Sequence, residues 1–510
     1  MDQTSQPTHT GTSDKLQDAA QQFSALLLNR PLFAWLLPLL GLAIVLSLTT
    51  YSDLSRNIWT DEAFSITYTF HGDFGAVLTE VRKNEETPPL YFISLWLWAQ
   101  VFGHSEIAMR SLSLLCGSSM IVIFANLAQR WLRPGAALMS TLVMALSPLL
   151  ERYMLEARGY TMAVLLATIC LAAFERLLRE PTRRAAQVGY ALSAAALFLT
   201  SYFSVVLLGT QWLIWLLRLR EPKQRRSLII AWLLTQLLSA AIVLPWLPSL
   251  LYQMHVAPAV TSNGNSQPSD YFLFSLSMLA NRPDDKLLFI GWLLCAATGI
   301  SLGLMALIQA SASERRLTLR VYALPATLML TMALTLQVVA ARYMVVMLPG
   351  AALAAGIGFS TLYQRRQSLA LLLAGLLLGL MLVLRSAPPT GPTQPWSQLT
   401  AYMTQVADPA SDLVILHPPW DQRVFEYYYR GPALPMLGAH HYDDFYFTEG
   451  HDLIRTWTLP EALPLTTKYR RVWVFYNQIY HNVPKLALPY QQVGHWREGR
   501  LELFLYETGN

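Results

Sequence analysis

Cysteine and charge are what this chain has least of. It has three cysteines in 510 residues, Cys116, Cys170 and Cys295. All three lie inside apolar runs, where they make neither a disulfide framework nor a metal-ligand spacing, and they read as small packing residues. Only 14% of the residues are charged, against roughly a quarter in an ordinary globular chain. No glycine-rich loop of the Rossmann or P-loop kind occurs, so no pattern for cradling a soluble nucleotide is present. Internal repeats and low-complexity tracts are also missing. The net charge of +5 could suggest nucleic acid. The basic residues, however, form short clusters between apolar runs, which membrane topology alone produces, and no nucleic-acid partner is expected.

What is abundant is apolar surface, 54% of the chain, with a mean hydropathy of +0.34. This composition predicts a polytopic α-helical membrane protein. Residues 1–30 are rich in Gln, Thr, Ser and Asp without apolar periodicity and read as a disordered cytoplasmic tail. The run from Pro31 to Thr50 is long enough to span a bilayer and has no small-residue cleavage site, so it reads as a first transmembrane helix rather than a signal peptide. Further apolar segments fall at about 89–102, 107–131, 135–150, 159–178, 186–200, 202–217, 227–250, 286–309, 319–340, 343–361 and 368–385.

The clusters Arg176 to Arg184, Arg218 to Arg226, Arg315 to Arg320 and Arg365-Arg366 are expected on the cytoplasmic side. That puts the loops at 51–88 and about 251–285, and everything beyond about residue 386, on the extracytoplasmic side of a cell (plasma) membrane. The rule conflicts with itself in one place. Counting forward from the N-terminus puts residues 150–158 inside, whereas counting back from the downstream arginines puts them outside. One segment between 89 and 150 is therefore re-entrant or a double crossing, and the expected number of spans is 11 to 13.

Residues Ala387 to Pro392 form a linker, and the composition then shifts to Pro, Asp, His and Tyr. Strands are predicted at Asp412 to Leu416, Arg471 to Tyr476 and Leu501 to Tyr506, with a helix at Arg423 to Arg430. Residues 386–510 are thus expected to form a small α/β domain after the membrane domain of 31–385. The pair His440-His441 followed by Asp443-Asp444 reads as a polar surface loop rather than a metal site. The aromatic run Tyr427-Tyr428-Tyr429, with Trp420 and Phe425, reads as core, or alternatively as a sugar-stacking surface.

Chemistry is concentrated in the first outer loop. Asp61 and Glu62 are adjacent, so in a helix they point about 100° apart and cannot share one direction. A partly desolvated carboxylate at a bilayer edge can serve as a general base. Glu85 and Glu86 precede Pro88-Pro89, a helix start, and stand just outside the next apolar segment. Each acid taken singly reads equally well as solvated loop charge. Arg110, Arg158 and Arg342 lie at or near helix starts, where an arginine can anchor in headgroups or grip a phosphate through its forked donors. Three of them exceed what anchoring needs and suit a phosphate-bearing lipid.

These residues carry a resemblance. Trp59-Thr60-Asp61-Glu62-Ala63, then Pro88-Pro89-Leu90-Tyr91-Phe92, then Phe102 to Glu106 followed by Arg110, resembles the GT-C glycosyltransferases. Within them the sequence looks like the branch of protein O-mannosyltransferases and the lipid A aminoarabinose transferase. Ala157-Arg158-Gly159-Tyr160, Tyr202, and Ala341-Arg342-Tyr343 resemble later motifs of that branch. The resemblance implies a GT-C fold over about 30–385. It also implies transfer of a sugar from a polyprenyl-phosphate donor to an extracytoplasmic acceptor, usually with inversion. Asp61 would be the catalytic acid residue, with Glu62 beside it and Glu85 as a second acidic position. Arg158, Tyr160, Tyr202, Arg342, Tyr343, Arg110 and Tyr91 would bind substrate. The family often has His where this chain has Thr87 and Ser201, so a divalent metal ion is possible but its ligands are not indicated. The acceptor could be a protein, a glycolipid or an envelope polysaccharide.

Two other classes fit less well. A transporter or flippase of a lipid-linked sugar would carry ionisable residues near the bilayer midplane, whereas here they crowd the outer ends. A lipid-phosphate hydrolase would need a nucleophile or metal constellation that the sequence does not display.

Overall fold

In the computed structural model, residues 30–49, 51–220, 225–261, 286–336, 341–385, 395–441, 445–449, 457–478 and 485–509 are described. Nearly all of the 1–30 tail, most of the 251–285 loop, the 387–392 linker and Asp443-Asp444 lie outside them.

The chain is a multi-pass helical membrane domain followed by a sheet domain. The membrane helices are α1 (Arg30–Leu48), α5 (Glu106–Trp131), the pair α6 (Pro134–Ala145) and α7 (Pro148–Met154), α8 (Tyr160–Arg179), α9 (Arg184–Phe198), α10 (Val205–Arg218), α11 (Arg225–Val243) running on through α12 (Leu247–Thr261), α13 (Lys286–Ile308), α14 (Leu324–Leu336), α15 (Leu348–Arg365) and α16 (Gln367–Arg385). Before α5 come α2 (Thr60–Thr67), α3 (Phe74–Asn84) and α4 (Leu90–Phe102) of the first loop region. Six described helices are individually long and apolar enough to cross a membrane, and α6 with α7 passes that test as a pair bent by 49°. α15 is central, with its residues from Leu348 to Gly358 all buried.

The conflict over sidedness has a structural answer in α4. Thirteen residues at 1.5 Å each reach about 20 Å, short of the ~30 Å hydrocarbon core. Both ends of α4 also meet the same loop region. Just before its start Glu85 accepts from Tyr68 OH. Beyond its end the ring Nε2 of His104 lies 3.2 Å from Thr69 O. Between them Gly103 takes φ +79°, the left-handed conformation a glycine adopts without steric cost, and turns the chain back. α4 therefore does not cross. α5 leaves the loop side, the bent α6–α7 pair returns to it, and residues 155–158 come up beside the first loop.

The C-terminal domain begins with α17 (Trp396–Val406) and carries α18 (Gln422–Tyr428). Its seven-stranded sheet has the order β4-β3-β2-β1-β5-β7-β6. β1 (Asp412–His417) pairs in parallel with β2 (Met436–His441) and β5 (Arg471–Asn477); β3 (Phe445–Glu449), β4 (Trp457–Thr458), β6 (Gln491–Glu498) and β7 (Leu501–Glu507) join antiparallel. The three expected strands and the expected helix are all present. β1 is buried along its whole length, as the apolar run predicts for a central strand. His440 and His441 differ from expectation: they lie in β2 rather than in a surface loop. His440 is buried with Trp420 5.5 Å from its ring, and burial, then His417, push its imidazole down to about 4.

This domain sits directly on the first loop. Thr60 Oγ1 donates to Asp421 Oδ1 at 2.6 Å and Asn477 Nδ2 donates to Asp421 Oδ2 at 2.7 Å. Arg423 donates to Thr67 Oγ1 and lies over the rings of Phe64 and Tyr68. Tyr428 OH accepts from Ile58 N–H and donates to Glu106 Oε1, while Tyr427 OH donates to His104 O. The tyrosine run is thus the seam between the domains. Burial raises the Asp421 carboxyl to about 7. A raised carboxyl stabilises the fold most when protonated. The expected result is that stability falls as pH rises from about 4 to 7, a slope that Asp421→Asn removes. Thermal midpoints of both proteins in detergent across that range check it.

Candidate functional site

The site is built from the first turn of α2. Glu62 turns into the protein and is fully buried. Arg110, from α5, meets it in a fork, Nε to Oε1 at 2.8 Å and Nη2 to Oε2 at 2.7 Å. Ala157 N–H donates to Oε1 at 2.9 Å and Trp59 N–H to Oε2 at 3.3 Å. The other Arg110 N–H groups go to the carbonyls of Leu54, Arg56 and Asn57. All five guanidinium donors are therefore in use. Burial works to raise the Glu62 carboxyl, but Arg110 overcomes it and holds the group below its usual range. Glu62 and Arg110 thus face each other, sealed from solvent.

One residue earlier, Asp61 points elsewhere, as the helical offset requires. Arg342 Nη1 donates to its Oδ2 at 2.8 Å, with 28% of the Asp61 side chain and 40% of the Arg342 side chain exposed. Glu85 comes from the other end of the loop and is nearly buried. It takes Arg158 Nη1 at 3.1 Å and Nη2 at 3.4 Å, and accepts from Tyr68 OH and Thr87 Oγ1. Arg158 also donates to Asp61 O at 3.2 Å and to Ser65 Oγ at 3.1 Å, and lies 5.8 Å from the centre of the Phe92 ring. The two acidic positions, distant in sequence, are joined through this one arginine. Glu86 stays on the surface, and its carboxyl is raised by partial burial and by Glu85.

The remaining candidates divide. Tyr91 OH pairs with Ser113 Oγ at 3.0 Å, and Ser113 donates to Arg158 O. Tyr91 is buried and fixes the backbone under Arg158. Tyr160 packs on Tyr153 at 4.6 Å. Tyr343 stacks on Phe203 at 3.9 Å with Arg342 above its own ring at 5.6 Å. Tyr202 belongs to another network. It accepts from Trp246 Nε1 and donates to Gln253 Oε1, and Gln253 reaches Val81 O of α3. Sequence reasoning missed Ser65, Ser113 and the Thr60–Asp421 contact. Hydroxyls inside apolar helices carry no distinguishing pattern, and a pair 361 residues apart leaves no local trace. Among the described residues no three of His, Cys, Asp and Glu gather as a metal site.

A short first-loop helix, an acid-bearing first loop and arginines from later helix starts, all beneath the sheet domain, fit a GT-C-type membrane fold. Comparison with known proteins agrees. Residues 86–248 match the family model described as dolichyl-phosphate-mannose-protein mannosyltransferase. The chain is similar to ArnT from Cupriavidus metallidurans in the apo state, with a TM-score of 0.55 and 16% identity over 96% of this chain and 98% of that one. ArnT bound to undecaprenyl phosphate matches at 0.53 and 16% identity over 92% and 98%. The oligosaccharyltransferase AglB from Archaeoglobus fulgidus, in complex with an inhibitory peptide and a dolichol-phosphate, matches at 0.51 and 11% identity over 78% and 64%. A search of curated proteins gives no match. The resemblance to GT-C glycosyltransferases read from the motifs is borne out, and the fold is theirs.

Breaking a buried ion pair from one side leaves the other charge unpaired, at a cost of about 3–5 kcal/mol. Glu62→Gln is therefore expected to lower the unfolding midpoint in detergent sharply. Asp61→Asn, at a partly exposed position, is expected to leave it within a degree or two, roughly the effect of a surface change. Equal midpoints for both variants would remove the anchoring role given to Glu62.

Proposed function

We propose that the protein is an integral-membrane glycosyltransferase. It moves a sugar from a polyprenyl-phosphate donor to an acceptor on the extracytoplasmic side of the cell membrane, with Asp61 as general base. One observation carries this reading. Of the acids Asp61, Glu62 and Glu85, Asp61 alone keeps a substantially exposed side chain, 28% against 0% and 5%. It lies between two guanidiniums, Arg342 on its carboxylate and Arg158 on its carbonyl. The family model and the lipid phosphates named for the ArnT and AglB structures support the same donor class.

The chemistry follows from the residue types. The acceptor hydroxyl or amine gives its proton to Asp61 as its lone pair attacks the anomeric carbon. The bond from that carbon to the phosphate oxygen breaks, its electrons pass to the phosphate, and the configuration inverts. A phosphate is already a good leaving group, so one base suffices. Arg342 and Arg158 stabilise the departing anion. Arg342 holds Asp61 before the donor arrives, so turning to the phosphate frees the carboxylate to take the proton. Glu85 keeps Arg158 aimed. The carboxylates of Asp61 and Glu85 are each engaged by an arginine, a donor set that does not suit a divalent cation, and no step runs through one.

Asp61→Asn is expected to cut transfer by about 10²–10⁴-fold in proteoliposomes holding polyprenyl-phosphate sugars. Undiminished transfer would eliminate Asp61 as the base. Lipid translocation without sugar transfer by the wild type would favour the flippase reading instead. Arg342→Ala is expected to weaken polyprenyl-phosphate binding by about 1.5–3 kcal/mol, the range for a charge-assisted hydrogen bond, measured by titration in detergent.

A further inference from the structure

The helices that bring Arg110 and Arg158 to the site end, at their other termini, in a second concentration of charge. α8 has 20 residues, so its two ends are about 30 Å apart. At that far face a cavity of about 320 Å³ is lined by Arg130, Arg179, Arg218, Arg316 and Arg320 together with Glu175 and Glu314. The arginines come from α5, α8, α10 and the segment before α14. Both carboxylates already have partners. Arg320 Nη1 lies 3.9 Å from Glu175 Oε1, and Arg133 Nε lies 3.6 Å from Glu314 Oε1, which also takes the Ser311 hydroxyl on its other oxygen. Topology explains basic residues at these helix ends. It does not require five guanidiniums from four segments to converge on one cavity.

A narrow apolar crevice adjoins it. Leu171, Phe174, Ile214 and Val321 line the crevice, which shares Glu175 and Arg320 with the basic cavity. Arg320 and Val321 lie in a π-helical turn, Leu319–Ala323, a form that recurs at functional sites. The turn is held by close approach to α15, since a Cβ at Gly350 would run into the Val321 carbonyl.

We propose that this cavity is a second binding site, distinct from the Asp61 site, for a phosphate group. Guanidinium forks supply the recognition, as in basic pockets between membrane helices that take lipid headgroups.

The test is native mass spectrometry of the full chain in detergent with phosphatidylglycerol, phosphatidylcholine and inorganic phosphate offered separately. The comparison is with the triple variant Arg130→Gln/Arg179→Gln/Arg316→Gln. Arg365→Gln/Arg366→Gln, basic residues of the same face outside the cavity lining, is the control. Retention of phosphatidylglycerol about tenfold or more above phosphatidylcholine, lost in the triple variant and kept in the control, identifies a lipid source. Retention of inorganic phosphate with the same variant pattern and no lipid preference identifies a free one. Retention of neither, or equal loss in the control, overturns the site. Arg316→Gln alone, at an exposed position, is expected to weaken retention even if the triple variant unfolds; unchanged retention in it together with a folded, fully binding triple variant also overturns the site.

Discussion

Everything around the first loop depends on one buried ion pair. Glu62 and Arg110 bind the start of α2, the 54–57 stretch, α5 and the 157 backbone into a single knot. Such a pair adds little net stability compared with well-packed apolar groups. Its value lies in direction, because a forked, fully satisfied contact admits one geometry. Locking Glu62 inward fixes the rotation of α2 and so obliges Asp61 to face the opening.

The three acids of the site show how environment separates like groups. Glu62 is sealed and neutralised by Arg110. Glu85 is nearly sealed and positions Arg158. Asp61 is left with solvent on one side and Arg342 on the other. The C-terminal domain adds to this order from above. Asp421, Arg423 and Tyr428 reach α2 and its approach, so the sheet domain steadies the helix that bears the acids.

Much of this was legible in the residues. The ordered motifs mark Asp61, Glu85, Arg158 and Arg342, and these do meet. The adjacency of Asp61 and Glu62 already implied that they part company. That Glu62 would find Arg110 was beyond reach, because two charged residues at helix starts do not announce each other. α4 misleads because its composition is that of a membrane span, and only its length and its tethered ends distinguish it. Strand β6 was missed because its side chains are largely exposed and polar, with no apolar alternation to read. β2 was hidden by its histidines, which look like loop chemistry until burial is known.

α4 also sets depth. Leu97, Val101 and Phe102 are exposed on it, while Trp96 and Trp98 point their indole N–H groups at His71 O and Ala108 O. A helix with exposed apolar side chains and indoles tied to backbone carbonyls suits the boundary where hydrocarbon gives way to headgroups. Its start is three residues after Thr87, whose hydroxyl holds Glu85. The level of α4 is thereby passed to the acids: Glu85 and, through Arg158, Asp61 are held at the height where that helix begins.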